Sequence, residues 1–250
     1  SNVGYSAELF GKDNHADRLI TYAASFGNTT LEKLEKYQKA GEVGNLLKEF
    51  DAISVRDANS GSIVEQLTGK EPVYNLDPVL TYDYMNCCDK IPQINATEKY
   101  LILYAYAGRI SNNEADWIAE YAKKKNLKVY AIGGIQKCAD RFIDCSPFEV
   151  LAYFRNAEEV ITDTFHGSIF SVITHRPFTT LIRKSVGNSY GNEEKLSDLL
   201  NRLGLTERMT TKVEDTERIN QQPIDYKKVD DVLQKQREIA KKYLQNNIEG

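Results

Sequence analysis

The sequence predicts an α/β protein built on parallel sheets, and three observations carry this. Short apolar runs alternate with amphipathic helical stretches from residue 18 to residue 80, a polar segment interrupts them, and the alternation resumes at residue 100. Strand–helix–strand order of this kind lays consecutive strands side by side in one direction. In such sheets ligands bind beyond the carboxyl ends of the strands, where helix starts offer unpaired N–H groups. The residues following each strand are therefore the ones to read for chemistry.

Residues 1–17 show no lasting period and read as a loop or docked arm. Arg18–Gly27 reads as a strand closing in a Gly turn. Thr29 and Thr30 can cap a helix with Leu31, Leu34 and Tyr37 at helical spacing. An amphipathic piece around Leu46, Leu47 and Phe50 leads into a second strand, Asp51–Asp57, which contains Ser54 and carries Arg56 at its carboxyl end. Ser60 opens a helix through Ile63, Val64 and Leu67, ended by Gly69. Pro72–Leu80 is a third strand that runs out through Asp77-Pro78, a pair common in turns. The polar stretch Thr81–Lys99, with Pro92 and the Cys87-Cys88 pair, marks the expected division between domains at 1–92 and 93–250.

Tyr100–Ala105 is the next strand, and Asn112 or Asn113 caps a helix carrying Trp117, Ile118 and Tyr121. Its closing lysines, Lys123 to Lys125, suit the negative end of a helix better than a binding patch. Lys128–Gly134 is a strand whose double Gly falls short of a dinucleotide fingerprint. Ser146-Pro147 starts a helix that buries Phe148, Val150, Leu151 and Phe154. Glu159–Thr162 is a short strand followed by Asp163, Thr164, Phe165 and His166, with a helix starting at about Gly167 and Ser168. Pro177–Arg183 is a further strand, Lys184–Gly191 a flexible loop, and Asn192 the cap of a helix ending at Gly204. Asp225 opens a long final amphipathic helix, expected to pack back on the first domain.

The chain of 250 residues can hold one large or two modest domains. A net charge of −4 argues against general nucleic-acid binding. No apolar run approaches the ~18 residues of a membrane span. Cys87, Cys88, Cys138 and Cys145 lack zinc-ligand spacing, and a reduced, cytosolic protein without a metal is the simplest expectation.

Two places invite a ligand. His166 and Thr164 stand at a helix start that suits an anion, although Thr162, Asp163 and Thr164 equally suit a plain helix cap with His166 a satisfied turn residue. Arg56 can grip a carboxylate or phosphate with two N–H groups, or pair with Asp57 or another acid. His15 and His175 read as structural or solvated.

SVRD at Ser54–Asp57, LDPVL at Leu76–Leu80 and ITDTFHGSIFSVITHRPF at Ile161–Phe178, in this order, resemble the polysaccharide pyruvyl transferase family. YAASFG at Tyr22–Gly27 and GNEEKLSDLLNRLGL at Gly191–Leu205 extend the likeness over roughly Leu19–Leu205. The resemblance implies two Rossmann-like domains facing a cleft, as in GT-B glycosyltransferases, with the acceptor side first and the donor side second. The family's Gly-rich first strand would precede residue 1, so the first domain is expected to be incomplete; Ser1-Asn2, which resembles a tag-cleavage scar, agrees.

The implied activity is that of a bacterial, cytoplasmic enzyme, working at the inner face of the membrane and needing no cofactor. It would move an enolpyruvyl unit from phosphoenolpyruvate to a glycan or lipid-linked sugar destined for exopolysaccharide, leaving a pyruvate ketal. His166 matches the family's essential His, and Arg56 its ligand-contacting Arg. Ser54, Asp77, Thr162, Asp163, Thr164, Phe165, Gly167 and Ser168 are the substrate-binding positions that accompany them. Several members carry Arg two residues before the His, where this chain has Thr164, so Arg183 or Lys184 is expected to supply the second phosphate clamp. Two other readings compete: a glycosyltransferase holding a nucleotide-sugar diphosphate on Arg183, Lys184 and helix starts, and a non-catalytic protein that binds a glycan or phosphorylated metabolite.

Overall fold

The computed structural model describes residues 5–184 and 192–248, so the loop expected at Lys184–Gly191 lies, Lys184 apart, outside the described residues. Contacts divide the chain into two compact units, Ser1–Thr81 with Val232–Gly250, and Tyr82–Asp231. The division falls after residue 81, where the sequence suggested 92. Arg155 donates to the Pro92 carbonyl at 2.9 Å and Asn156 to the Ile94 carbonyl at 3.3 Å, which binds that polar stretch into the second unit.

The first unit contains α1 (Leu31–Lys36), α2 (Ala40–Lys48), β1 (Ser54–Val55), α3 (Ala58–Thr68), β2 (Val73–Tyr74) and a single turn, α4 (Pro78–Thr81). Thr30 caps α1, and Asp57 caps α3 by accepting from Ser60 N at 2.8 Å. β1 and β2 pair in parallel, while the segment expected as a strand at 18–27 meets the sheet only through Ile20↔Ala52 and Ala24↔Val55. Ala23 interrupts it with φ 47, outside the extended region. The strand expected over Pro72–Leu80 stops at Tyr74, because Asp77 accepts from Val79 N at 3.0 Å and turns the chain into α4. Val43, Leu47, Ile53, Val55, Ile63 and Val64 form this unit's core.

The second unit contains α5 (Tyr84–Cys87), β3 (Tyr100–Tyr104), α6 (Asn112–Lys124), β4 (Lys128–Ile132), β5 (Arg141–Phe142), α7 (Pro147–Asn156) and β6 (Glu159–Thr162). It continues with α8 (Phe165–Ile173), β7 (Phe178–Leu181), α9 (Glu193–Arg202), β8 (Met209–Thr210) and α10 (Thr216–Gln221). Its six strands are all parallel, in the order β5-β4-β3-β6-β7-β8. Counted from β3, that is the doubly wound order 3-2-1-4-5-6, and the winding reverses between β3 and β6. A sheet wound both ways is covered on both faces, which is why Tyr100, Leu101, Ile102 and Leu103 are an unbroken apolar run and all fully buried.

Ser111, rather than Asn112 or Asn113, caps α6: its hydroxyl accepts from Glu114 N while the Glu114 carboxylate accepts from Ser111 N, closing a capping box. Ser146 and Glu149 do the same for α7, with Pro147 at the first helical position. The final helix, α11 (Tyr226–Ile248), groups with the second unit up to Asp231 and with the first from Val232. There Arg237 donates to the Leu80 carbonyl at 3.2 Å and Tyr243 to the Thr21 carbonyl at 2.7 Å.

The double Gly after β4 has a packing reason. A Cβ on Gly134 would lie 2.2 Å from the Ala107 nitrogen and 2.8 Å from the Tyr106 carbonyl carbon, atoms of a neighbouring backbone that cannot swing away. Gly134→Ala should therefore destabilise the protein by about 1–3 kcal/mol, the cost of overpacking. A thermal melt superimposable on wild type would refute this account.

Candidate functional site

In the first unit the residues flagged by sequence gather at the carboxyl ends of β1 and β2. Arg56 and Asp77 leave the two strands side by side and form an ion pair between Nη1 and Oδ2, with Asp77 almost fully buried and Arg56 partly exposed. The pairing fixes the direction of the guanidinium. Asp57, the acid considered from sequence as a partner for Arg56, instead caps α3. Ser54 is fully buried: its hydroxyl accepts from Ala23 N at 3.2 Å and from Asn75 Nδ2 at 2.7 Å. It ties β1 to its neighbours from beneath rather than facing solvent.

In the second unit the turn after β6 lies at the reversal of winding, where open α/β sheets hold their ligands. The Thr162 hydroxyl donates to the Tyr104 carbonyl of β3 at 2.7 Å, accepts from Thr164 N at 3.0 Å and meets the Thr164 hydroxyl at 3.1 Å. Thr164 caps α8 by accepting from Gly167 N at 2.9 Å. Its hydroxyl thus completes the helix start at the position where the family resemblance implies Arg. Ser168 reaches the Thr164 carbonyl at 3.2 Å and the Thr180 hydroxyl of β7 at 2.9 Å, tying α8 to the next strand. Thr162, Thr164, Gly167 and Ser168 are all buried, while Phe165 and His166 are partly exposed. His166 stands at the second position of α8, its ring 5.7 Å from that of Phe165 and 6.0 Å from that of Phe170. The hydroxyl network therefore sets the pose of the turn, and the imidazole is the polar side chain the turn brings toward the surface.

Asp163 is fully buried, and neither carboxylate oxygen has a hydrogen-bond partner among the described residues. Burial raises its pKa; Arg109 and Arg183 pull it down but do not restore it, and Glu114 adds to the rise. Arg183 is gripped by Glu114 at 2.6 Å. Burial alone would raise the Glu114 pKa, but hydrogen bonds from Arg183 and Ser111 outweigh it and hold that carboxyl below its ordinary value. Asn192, expected only as a helix cap, makes no side-chain cap bond; its amide donates to the Asp163 and Leu181 carbonyls and its oxygen accepts from Arg183 N. Lys184 is exposed and, with Arg109, Arg183 and Thr211, borders a pocket of about 540 Å³.

Arg109, Glu114 and Asn192 are the residues that sequence reading left without a role here. Arg109 follows β3 closely, and the rule of looking beyond every strand's carboxyl end could have found it. Among the described residues no cluster of His, Cys, Asp or Glu is placed to hold a metal ion, and no helix is long and apolar enough to cross a membrane.

Two substitutions test this local account in opposite directions. A Cβ on Gly167 would lie 2.1 Å from Thr162 Oγ1 and 2.8 Å from Thr164 Oγ1, so Gly167→Ala should lower the melting temperature by several degrees. Asp163→Asn should raise it at neutral pH. A carboxyl whose folded pKa is raised favours folding fully below its unfolded value, and that contribution is lost as pH rises through the folded value. The Asn variant and wild type should therefore melt alike near pH 4 and separate toward pH 7.5, by roughly 2–4 °C for each kcal/mol by which the buried charge opposes folding. A separation that shrinks toward neutral pH would contradict the sign.

A sequence profile described as "Polysaccharide pyruvyl transferase" matches residues 2–185 of the chain. No curated protein matches at a significant level. Among solved structures, a putative UDP-N-acetylglucosamine 2-epimerase from Listeria monocytogenes superposes with a TM-score of 0.52 at 10% identity, over 88% of this chain and 62% of that one. UDP-GlcNAc 2-epimerase from Neisseria meningitidis, bound to UDP-GlcNAc, gives 0.51 at 9% identity, over 88% and 68%. An O-GlcNAc transferase mutant from Thermobaculum terrenum gives 0.38 at 14% identity, over 80% and 42%, and carries no argument. The chain thus spans from 42% to 68% of the lengths of these three structures. At such identities the two epimerases speak to the fold alone, the Rossmann-like, GT-B-type α/β architecture seen in the sheet order. The profile covers 184 residues of 250 and includes both Arg56 and the turn at His166, and on that extent the chain belongs to the polysaccharide pyruvyl transferase family.

Proposed function

We propose that this protein is a pyruvyl transferase that moves an enolpyruvyl unit from phosphoenolpyruvate to two hydroxyls of a sugar in a polysaccharide or its lipid-linked precursor. The observation that carries the reading is His166, the partly exposed imidazole in the first turn of α8, at the point where the winding of the sheet reverses. The donor is a small polyanion and needs a fixed cation. Arg56, aligned by buried Asp77, is suited to a carboxylate or phosphate.

The chemistry balances without a redox partner. His166, as the imidazolium, gives a proton to the methylene carbon, which becomes the methyl group and leaves C2 electron-poor. One sugar hydroxyl adds to C2, the C2–O bond to phosphate breaks, and phosphate departs with the electron pair. The second hydroxyl then adds to C2 and closes the ketal. One hydroxyl proton restores the imidazolium and the other leaves with phosphate. A His suits both directions of transfer because its ordinary pKa lies near neutrality. Production in a bacterial cytoplasm, at the inner face of the membrane, would bring the enzyme to both substrates.

Phosphate release from phosphoenolpyruvate with candidate glycans, together with ligand-induced thermal shifts, tests this reading. His166→Ala should keep donor affinity within about threefold and lose about 10²–10⁴ in turnover. Arg56→Ala should weaken the donor by ~1.5–3 kcal/mol, about ten- to hundredfold. If nucleotide sugars stabilise the protein and phosphoenolpyruvate does not, the chain is a nucleotide-sugar glycosyltransferase instead. Glycan or phosphometabolite binding without turnover would leave it a non-catalytic binder.

A further inference from the structure

The β3–β4 side of the second unit's sheet carries a feature that the donor chemistry leaves unused. Among the described residues of this unit, four large hydrophobic side chains are exposed: Tyr82, Tyr106, Ile135 and Phe142. Two of them, Tyr106 and Ile135, stand on the neighbouring loops that follow β3 and β4, at the carboxyl edge beside the reversal of winding. Tyr106 keeps 45% of its surface exposed and Ile135 73%. A single exposed apolar residue is ordinary. Two on adjacent strand ends, at the edge where open α/β sheets hold their ligands, form a recognition surface.

Tyr106 is also held in place. Buried Gln136 donates from Nε2 to the Ala105 carbonyl at 3.0 Å and to the Tyr106 carbonyl at 3.3 Å. Arg109 N donates to the same Tyr106 carbonyl at 3.3 Å. From the β4 side, Gly134 closes on the backbone of Tyr106 and Ala107 so tightly that no Cβ fits. The Arg109 guanidinium lies 4.5 Å over the Tyr106 ring. A large ring is thus presented on a fixed backbone with a cation against it, and such a ring loses little conformational freedom on binding.

The ring lies close in the fold to His166. β3 and β6 pair with Tyr104 opposite Thr162, so Tyr106 and Thr164 each lie two residues beyond that pair, on strands ~4.8 Å apart. The rings of Tyr104, Phe170 and His166 follow one another at spacings of 6.0 Å. Tyr106 therefore leaves the strand next to the one whose turn carries His166.

We infer that the Tyr106 ring is a platform on which a pyranose ring of the substrate stacks, with Ile135 extending the apolar surface. A pyranose has faces of C–H bonds and a rim of hydroxyls, and an aromatic ring offers the first an apolar surface with a negative face. On the pyruvyl transferase reading, on which this step rests, the stacked ring is the acceptor sugar. The family resemblance alone expected the acceptor on the first domain, whereas Tyr106 belongs to the second unit.

Saturation-transfer difference NMR of the whole chain with methyl β-D-glucopyranoside and methyl β-D-galactopyranoside, recorded without phosphoenolpyruvate, tests the platform. Irradiating the aromatic protons of wild type should transfer saturation to the C–H protons of one sugar face. Tyr106→Phe should keep the effect and Tyr106→Ala should lose it. The side chain is exposed, so neither substitution should move the melting temperature. In the turnover assay Tyr106→Ala should raise the acceptor KM about three- to tenfold and leave kcat nearly unchanged. No transfer to either glycoside, or transfer that survives in Tyr106→Ala, overturns the proposal. Transfer lost in Tyr106→Ala without any phosphoenolpyruvate turnover keeps the platform and removes the pyruvyl transferase reading with the acceptor assignment. Turnover with the acceptor KM unchanged in Tyr106→Ala keeps that reading and removes the platform.

Discussion

The turn at Thr162–Gly167 rests on the absence of a side chain at Gly167. Two threonine hydroxyls lie where a Cβ at that position would need to be, and they in turn hold the end of β6 to β3 and the start of α8 to β6. Ser168 extends the same hydroxyl chain to β7. Three strands and one helix are thereby fixed together by small side chains whose hydrogen bonds are satisfied inside the protein. Because β6 adjoins the point where the winding reverses, His166 stands on a turn that hydroxyl hydrogen bonds tie to the neighbouring strands. On the proposed reading, such support suits a group that must meet a reacting carbon.

A different balance governs the charged side of the same edge. Glu114 is both half of a helix cap and the partner of Arg183, so one carboxylate couples the start of α6 to the strand end at β7. Asp163 has no such partner, and its burial is tolerated in the company of Arg109 and Arg183. The two acids shift in opposite directions although burial pushes both upward, Glu114 being partly buried and hydrogen-bonded and Asp163 fully buried and not. Buried carboxylates are governed by what they touch, not by depth alone.

Much of this was legible from sequence, and the limits have physical causes. The strands of the second unit are apolar runs bounded by turn residues, and periodicity located them because a sheet covered on both faces tolerates little else. The first unit was read less well. Arg18–Gly27 looks like a strand, yet the positive φ at Ala23 breaks it, and no side-chain pattern announces a backbone turned in that way. Asp77-Pro78 was recognised as a turn device but not as the start of a helical turn, since the deciding bond is local, from Val79 N. At the site, His166 and Arg56 stood out because their residue types are chemically informative. The hydroxyls of Ser54, Thr162 and Thr164 sit beside them in sequence, yet they are buried and bonded within the protein. Asn192 reads as an ordinary cap, and its bridging of Asp163, Leu181 and Arg183 is a contact between elements distant in the chain.

The discontinuity of the first unit has a consequence for how the protein folds. Residues 82–231 form an uninterrupted unit, whereas the first unit draws part of its packing from the stretch after Val232, including the bonds of Arg237 to Leu80 and Tyr243 to Thr21. Completing the first unit therefore closes a loop that contains the whole of the second, an entropic cost that grows only slowly with loop length and that folding of the intervening unit reduces.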